Sequence, residues 1–346
     1  MGEYARSLAI AKGVEWRWPG AAIHFVLSRE APYAVQTPYA TTLLDSSPTF
    51  HSSAVADLIE RWSPDVVIFD NAGRTAQLRA AARAGARVVY ISARRRQRRK
   101  AFRLRWMRLI DEHWIAYPKF IAGDLGFLER LKLEVMRRPA IRYLDVILDA
   151  RRGLAGDSIL QRLGLAGEDF VLVVPGGGTG HPGARDAVDE FLAAARALAA
   201  GEAGRAVATI FVGRAGSAAR GGPAAPAAGS LQMVGLLPQA ALAELMRSAR
   251  LVIANGGSTL LQSIACGKPC IAVPIAADQR ARIRHCVSAG VAVAAPLDSA
   301  AMTKIAGALL ADESQMEALG GRAIALGLGD GIEVALHALT SLIRRT

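Results

Sequence analysis

Cysteine is almost missing: Cys266, Cys270 and Cys286 are all there is in 346 residues. An odd and small number cannot staple a chain of this length, which excludes a disulfide-framed secreted scaffold and points to a reducing, cytosolic compartment. Cys266 and Cys270 flank a Gly-Lys-Pro turn with no second pair, so no zinc-ligand set is present and no metal is expected. The six histidines (His24, His51, His113, His181, His285, His337) have no ligand spacing either. Long apolar runs are lacking as well. Mean hydropathy is +0.24, yet no stretch approaches ~20 uninterrupted apolar residues, which excludes a membrane-spanning helix. No signal peptide is visible, and Arg6 stands where a myristoylation signal needs Ser or Thr. Aromatics are only 6%, too few to interleave with cations along a nucleic-acid surface.

What the chain does have is apolar bulk, glycine and positive charge. Hydrophobic residues are 52%, and 34 Gly with 15 Pro show no triplet period, so the chain is globular and not collagenous. Its length is about twice that of a usual domain, so two domains are expected. The net charge is +12 and the pI about 10.2. Nine cations without one acid lie between Arg94 and Arg108. Outside that run the chain is nearly balanced, unlike a protein that coats nucleic acid along its length.

Alternating apolar strands and amphipathic helices run through both halves. In the first, Ile23–Leu27, Asp65–Phe69, Arg87–Ile91 and His113–Ala116 read as strands, and Gly2–Lys12, Val55–Trp62 and Arg74–Ala84 as helices. In the second, Phe170–Val174, Ala206–Val212, Leu231–Val234, Leu251–Ala254 and Cys270–Val273 read as strands between helices Ala184–Ala199, Gln239–Ser248 and Ser258–Cys266. This order predicts an α/β protein of two Rossmann-like domains, residues 1–150 and 151–346, with parallel sheets and a cleft between the domains. The Gly/Ala/Pro/Ser-rich stretch Gly213–Ser230 reads as a surface loop. A doubly wound domain opens on a strand, whereas here a helix starts at residue 2; the first strand, roughly five to eight residues, is expected upstream of Met1.

Two strand–loop–helix junctions in the second half carry glycine clusters. Pro175-Gly176-Gly177-Gly178-Thr179-Gly180 follows one strand, and Asn255-Gly256-Gly257-Ser258-Thr259 follows another. Glycine lets backbone approach an anion, and a helix start offers unpaired N–H groups and a positive dipole end. Two such loops at carboxyl ends of strands in one domain point to a single polyphosphate cradle, with His181 beside it.

The block from Asn255 to Gln279, with its Gly-Gly-x-x-T-type helix start, Gly-Lys-Pro turn and Pro…Asp-Gln ending, resembles the donor-binding domain of GT-B glycosyltransferases. The likeness is to the family 28 type, which includes the peptidoglycan lipid-linked N-acetylglucosaminyltransferase. It takes in the Gly176–Gly180 loop and Val234–Pro238, about residues 168–300. Gly2–Ala11 is similar, more loosely, to the Gly-His-x-x-R-x-L-x-x-A helix of related nucleotide-sugar enzymes. The resemblance implies that Gly177, Gly178 and Thr179 hold the donor diphosphate from one side and Gly257, Ser258 and Thr259 from the other. Backbone near Leu236 would read the base, and Gln262, where the family has Glu, would meet the ribose without a charge-assisted bond. Asp278 and Gln279 would bind the donor sugar. No cofactor is implied beyond the nucleotide-diphosphate sugar itself, expected to be UDP-linked.

Glu3 occupies the place of the family's loop histidine. A carboxylate there repels a diphosphate, so Glu3 is expected instead as a general base for the acceptor hydroxyl, its affinity for a proton raised by burial. Asp70, at a strand end, is the rival base. The basic run places Phe102, Trp106 and Leu109 or Ile110 on one helical face. Two readings stay open: a membrane-surface helix, or an ordinary helix with its apolar face in the core and its arginines in water. Either fits a groove for an anionic glycan or lipid diphosphate, with Arg95, Arg96, Arg98, Arg99 and Trp106 as its residues. The expected activity is metal-independent sugar transfer to a cell-envelope, lipid or polysaccharide acceptor. The enzyme would be cytoplasmic and peripheral on the inner face of the membrane. The alternatives are a nucleotide-sugar hydrolase of the same fold and a nucleic-acid-binding protein using the arginine run, a partner the glycine junctions argue against.

Overall fold

The computed structural model describes residues 2–31, 34, 37–148, 158–176, 184–201, 207–213 and 227–344. It divides into two units: residues 1–145 with 330–346, and residues 146–329.

In the first unit, α1 (Gly2–Arg17) precedes a parallel strand pair, β1 (His24–Ser28) and β2 (Ala40–Leu44). Then come α2 (Ser52–Trp62), β3 (Val66–Asp70), α3 (Thr75–Arg83), β4 (Arg87–Ser92), α4 (Arg95–Ala101), α5 (Leu104–Met107), β5 (Glu112–Ile115), α6 (Lys119–Ala122), α7 (Phe127–Met136) and β6 (Ala140–Tyr143). Strands β3 to β6 form a four-stranded parallel sheet in chain order. On one face of this unit, Val55, Ile59, Leu78, Tyr90 and Trp106 share a core with Val26 of β1 and Leu44 of β2.

The second unit holds α8 (Ile159–Arg162), β7 (Phe170–Val174), α9 (Ala184–Ala200), β8 (Ala208–Val212), β9 (Leu231–Val234), α10 (Gln239–Ser248), β10 (Leu251–Asn255), α11 (Ser258–Ala265), β11 (Cys270–Val273), α12 (Ala277–Ser288), β12 (Val293–Ala294), α13 (Ser299–Ala311) and α14 (Glu313–Ala325). Its six strands are all parallel, in the order β12-β11-β10-β7-β8-β9. Every residue of β7, β8, β10 and β11 is buried. That is why these strands read as nearly continuous apolar runs, broken only by Thr209 and Asn255: helices cover both faces of a parallel sheet, so no side faces water.

The expected boundary at 150 needs correction at the C-terminal end. Helix α15 (Gly331–Ile343) belongs to the first unit, not the second. Its buried stripe, Ala335, Ala338, Leu339 and Leu342, packs with Ile10 of α1, Val89 and Ile91 of β4, and Trp114 of β5. Asp330 caps it, accepting a hydrogen bond from the Ile332 amide at 2.9 Å.

Candidate functional site

Within the second unit, β7 and β10 are neighbours in register, Val174 opposite Ala254. Their chains therefore leave the sheet side by side, which brings Pro175 and Gly176 next to Asn255–Gly257 at the carboxyl edge where open α/β sheets bind ligands. Asn255 ties them. Its buried amide donates to the Pro175 carbonyl at 2.6 Å, and its Oδ1 accepts from the Gly257 amide at 2.7 Å. Gly176 must be glycine: its φ is +92°, and a Cβ there would lie 1.9 Å from Asn255 Nδ2. At Gly257 a Cβ would stand 2.5 Å from Asn255 Oδ1.

Gly257 is the N-cap of α11 and brings no side chain to the first turn, so the leading N–H groups of the helix are left for a ligand. Ser258 is exposed at that turn, while Thr259 is buried. A cation stands beside the loop: Arg282 of α12 donates through Nη1 to the Gly256 carbonyl, and its Nη2 lies 3.8 Å from Asp278 Oδ2. The arrangement presents backbone donors, a helix N-terminus and one guanidinium, which together suit an anion.

Of the residues expected at the donor site, Gly177, Gly178 and Thr179, with His181, lie outside the described residues. Gln279 does come against the loop, its Cβ 3.0 Å from where a Gly256 Cβ would be, and its Oε1 accepts from the Ile275 amide at 2.9 Å. Asp278 is exposed. Gln262 is buried and donates to the Ile147 carbonyl at 2.9 Å, so its amide fastens a chain segment of this unit. Leu236 is exposed, two residues past β9, and β8 separates β9 from β7. Asn255 and Arg282 were not expected. The signal for Asn255 was its place at the strand end before Gly-Gly, where one amide can donate and accept at once; Arg282, on the next helix, gave none.

In the first unit the N-terminal turn of α1 meets the carboxyl end of β3. Arg6 grips Asp70 with two nitrogens, Nε to Oδ2 at 3.0 Å and Nη2 to Oδ1, and the Ser7 hydroxyl adds a third bond at 3.0 Å. Burial pushes the Asp70 carboxyl above the usual carboxylate range, against the pull of Arg6 and Ser7. Both Asp70 oxygens are engaged, and the residue anchors α1 to β3. Glu3 is exposed, so the burial expected around it is absent. It is nevertheless positioned, because Asn71 Nδ2 donates to its Oε1 at 2.7 Å while Asn71 Oδ1 accepts from the Ala93 amide at 2.7 Å. Asn71 holds a left-handed conformation, φ +53°, which asparagine tolerates better than most residues.

The basic run resolves in favour of the core. Phe102, Trp106 and Ile110 are buried, and Trp106 Nε1 donates to Thr75 at 2.9 Å. Arg98 is buried too, bonded to the carbonyls of Ala122, Gly123 and Asp124 and to Glu129. A groove or membrane role for Trp106 and Arg98 is therefore corrected to a structural one. Arg95, Arg96 and Arg99 remain exposed.

Among the described residues no helix is long and apolar enough to cross a membrane, and no three His, Cys, Asp or Glu side chains gather as metal ligands would. No protein-family model and no curated protein sequence matches the chain. Solved structures do. MurG from Acinetobacter baumannii aligns at a TM-score of 0.61 with 14% identity over 98% of this chain and 95% of that one. A Listeria monocytogenes protein provisionally named a UDP-N-acetylglucosamine 2-epimerase aligns at 0.60, with 13% identity over 99% and 93%. The spinosyn rhamnosyltransferase SpnG, complexed with thymidine diphosphate, aligns at 0.57, with 16% identity over 96% and 95%. At such identities the likeness establishes architecture: the chain has the GT-B fold, two Rossmann-like α/β units, in common with MurG and other glycosyltransferases.

Proposed function

We propose that the protein transfers a sugar from a nucleoside-diphosphate sugar, UDP-linked, to a hydroxyl of a glycan or lipid-linked acceptor of the cell envelope. The observation that carries this is the joined pair of glycine junctions, tied through Asn255 and opening on the N-terminus of α11. The unit Val146–Gly329 takes the donor. Gly257, Ser258 and Thr259 cradle the diphosphate with Gly177, Gly178 and Thr179, Asp278 and Gln279 meet the sugar, and backbone near Leu236 meets the base. The other unit takes the acceptor, and Glu3, held by Asn71, is the group placed to accept its proton.

The reaction is a displacement at the anomeric carbon. The acceptor oxygen bonds to that carbon, the bond to the diphosphate oxygen breaks, and the hydroxyl proton goes to the base. Charge growing on the leaving diphosphate is met by backbone N–H groups, the dipole of α11 and Arg282, with no metal required. A second reading is attack by water in place of the acceptor, which would release free sugar and the nucleoside diphosphate.

The test is a calorimetric panel of UDP, GDP, dTDP and CDP, followed by Gly176→Val and Ser258→Ala with the preferred nucleotide. The first substitution drives a branched side chain into Asn255 and should weaken binding at least tenfold. The second removes one hydroxyl, worth about 0.5–1.5 kcal/mol. Unaltered affinity in folded Gly176→Val would place the nucleotide elsewhere. Release of free sugar at the same rate with and without acceptor would favour hydrolysis.

A further inference from the structure

The two units follow one topological plan, and the first has a gap in it. In the second unit the order β9-β8-β7-β10-β11-β12 places the earliest strand, β7, between β8 and β10, and α9 follows it. Matched in chain order, β1 and β2 correspond to β8 and β9, and β3, β4 and β5 to β10, β11 and β12. The helices agree. In the chain α2 and α3 flank β3 as α10 and α11 flank β10, and α1 precedes β1 as α9 precedes β8. Among the described residues β7 has no counterpart, and the sheet is split where it would lie. There β1 pairs only with β2 and β3 only with β4, both in parallel.

Both free edges border one gap, and α1 lies over it. On one face Val26 of β1 joins Val67 and Phe69 of β3 in a common core. On the other face Tyr4 of α1 meets Phe25 of β1 edge-on, ring centroids 6.2 Å apart, while Arg6 and Ser7 hold Asp70 of β3. Ile10 and Val14 of the same helix pack with Val66 of β3. Burial records what is missing between. Every residue of β8 and β10 is buried, whereas none of β1 is, and in β3 only Phe69 is. Ile68, at the centre of β3, is 36% exposed. An edge without a neighbour also presents its N–H and C=O groups to whatever comes next.

We propose that the gap between β1 and β3 is a slot for one further strand: an apolar segment of about five residues, parallel to both neighbours and joined by a short turn to the start of α1. Its length follows from β1 and β3, five residues each. Its composition follows from its surroundings, because a core on one face and α1 on the other bury both sides, as both sides of β7 are buried. Its direction follows from α1. That helix starts at the carboxyl end of β3, where Arg6 meets Asp70, so a strand parallel to β3 ends beside Glu3 and feeds α1. Strand, helix and β1 then make the crossover unit that parallel strands require. A strand from a second copy of the chain fits less well. Every strand of the two sheets already pairs along one edge or both, and the slot needs a segment free on both. The inference stands apart from the glycosyl-transfer reading, because it is tested with neither sugar nucleotide nor acceptor.

Hydrogen exchange and sedimentation are measured first on the 346-residue chain. It should be a monomer in which the amides of β1 and β3 exchange at least tenfold faster than those of β4 and β5. The chain is then extended ahead of α1 by Phe-Val-Leu-Val-Val, the sequence of β7, and a glycine turn. The extension should slow exchange in β1 and β3 at least tenfold and raise the melting temperature of the first unit. The same extension with its central Leu replaced by Pro stays apolar but cannot complete the ladder, and it should do neither. Four results would overturn the proposal. They are β1 and β3 as protected as β4 in the monomeric parent, a parent dimer with those edges protected, no slowing on extension, or equal slowing by the proline form. The first two are read on the parent alone, so they stand even if the extended chain does not fold.

Discussion

The single residue that most repays attention outside the candidate site is His113, on β5. Its side chain is fully buried, and Nε2 pairs with the Ser92 hydroxyl at 2.8 Å. Burial, reinforced by the nearby Arg98 charge, lowers its pKa to about 3 from an ordinary 6.5. The sign of the consequence follows from proton counts. Between pH 6.5 and about 3 the unfolded chain binds a proton at this histidine and the folded chain does not, so acid favours unfolding throughout that window. At 1.36 kcal/mol per pH unit, lowering the pH from 6.5 to 5 should remove about 2 kcal/mol from the stability of the unit containing residues 1–145. Urea titrations at the two pH values measure this. In His113→Gln the acid-dependent part of the loss should vanish, whatever its stability at pH 6.5. An unchanged slope would mean that another group titrates. Nothing in the sequence marked His113, since burial of a lone histidine is a property of the packed sheet. Gly176 and Gly257 were marked, because glycine at a strand end leaves a local signature; that Asn255 joins them depends on strand order, which no local pattern records.

At the scale of elements, legibility followed burial. Strands β7 and β11 are apolar throughout, and β10 up to its last residue, Asn255, because water reaches neither face, and their limits were readable to within a residue. Strand β2, Ala-Thr-Thr-Leu-Leu, is partly open along its length and carries no such run. Two amphipathic segments illustrate a deeper limit. In the run from Arg94 the stripe Phe102, Trp106, Ile110 enters the core, whereas in α7 the stripe faces solvent. Periodicity states that a stripe exists and is silent about what covers it. The same holds for arginine. Arg98 reads as one more cation, yet it is the buried hub that binds α6 and α7 to α4. Arg98→Met should therefore cost about 3 kcal/mol or more, because it strands Glu129 and three carbonyls. Arg95→Gln, Arg96→Gln and Arg99→Gln, all exposed, should each stay within about 0.5 kcal/mol of the parent. Chemical denaturation ranks the four; equal small effects would remove Arg98 from its structural role.

At the scale of the whole molecule, helix α15 shows why domain limits are harder to read than elements. Its stripe is plain in the sequence, but adjacency along the chain suggests the unit just before it, while packing assigns it to the other. This has a measurable consequence for a chain ended at Gly329. The side chains of Ile332, Leu336, Leu339 and Leu342 are almost wholly buried. Each contributes about 1.5–3 kcal/mol through burial, and their loss also uncovers Ile10, Trp114 and Leu144. The sum rivals the roughly 5–15 kcal/mol that holds a typical domain folded, so the first unit should open in the truncated chain. The unit Val146–Gly329 loses none of its own core and should keep its sheet. Hydrogen exchange separates the two: amides of β3 to β6 should lose protection, and those of β7, β8, β10 and β11 should retain it. Added nucleoside diphosphate at about 100 times its dissociation constant should still stabilise the second unit by about 2.7 kcal/mol. Protection kept in β3 to β6 would show that α15 is dispensable. Protection lost everywhere would show that the donor-side unit does not stand by itself, and the assignment of nucleotide binding to Val146–Gly329 alone would then fail with it.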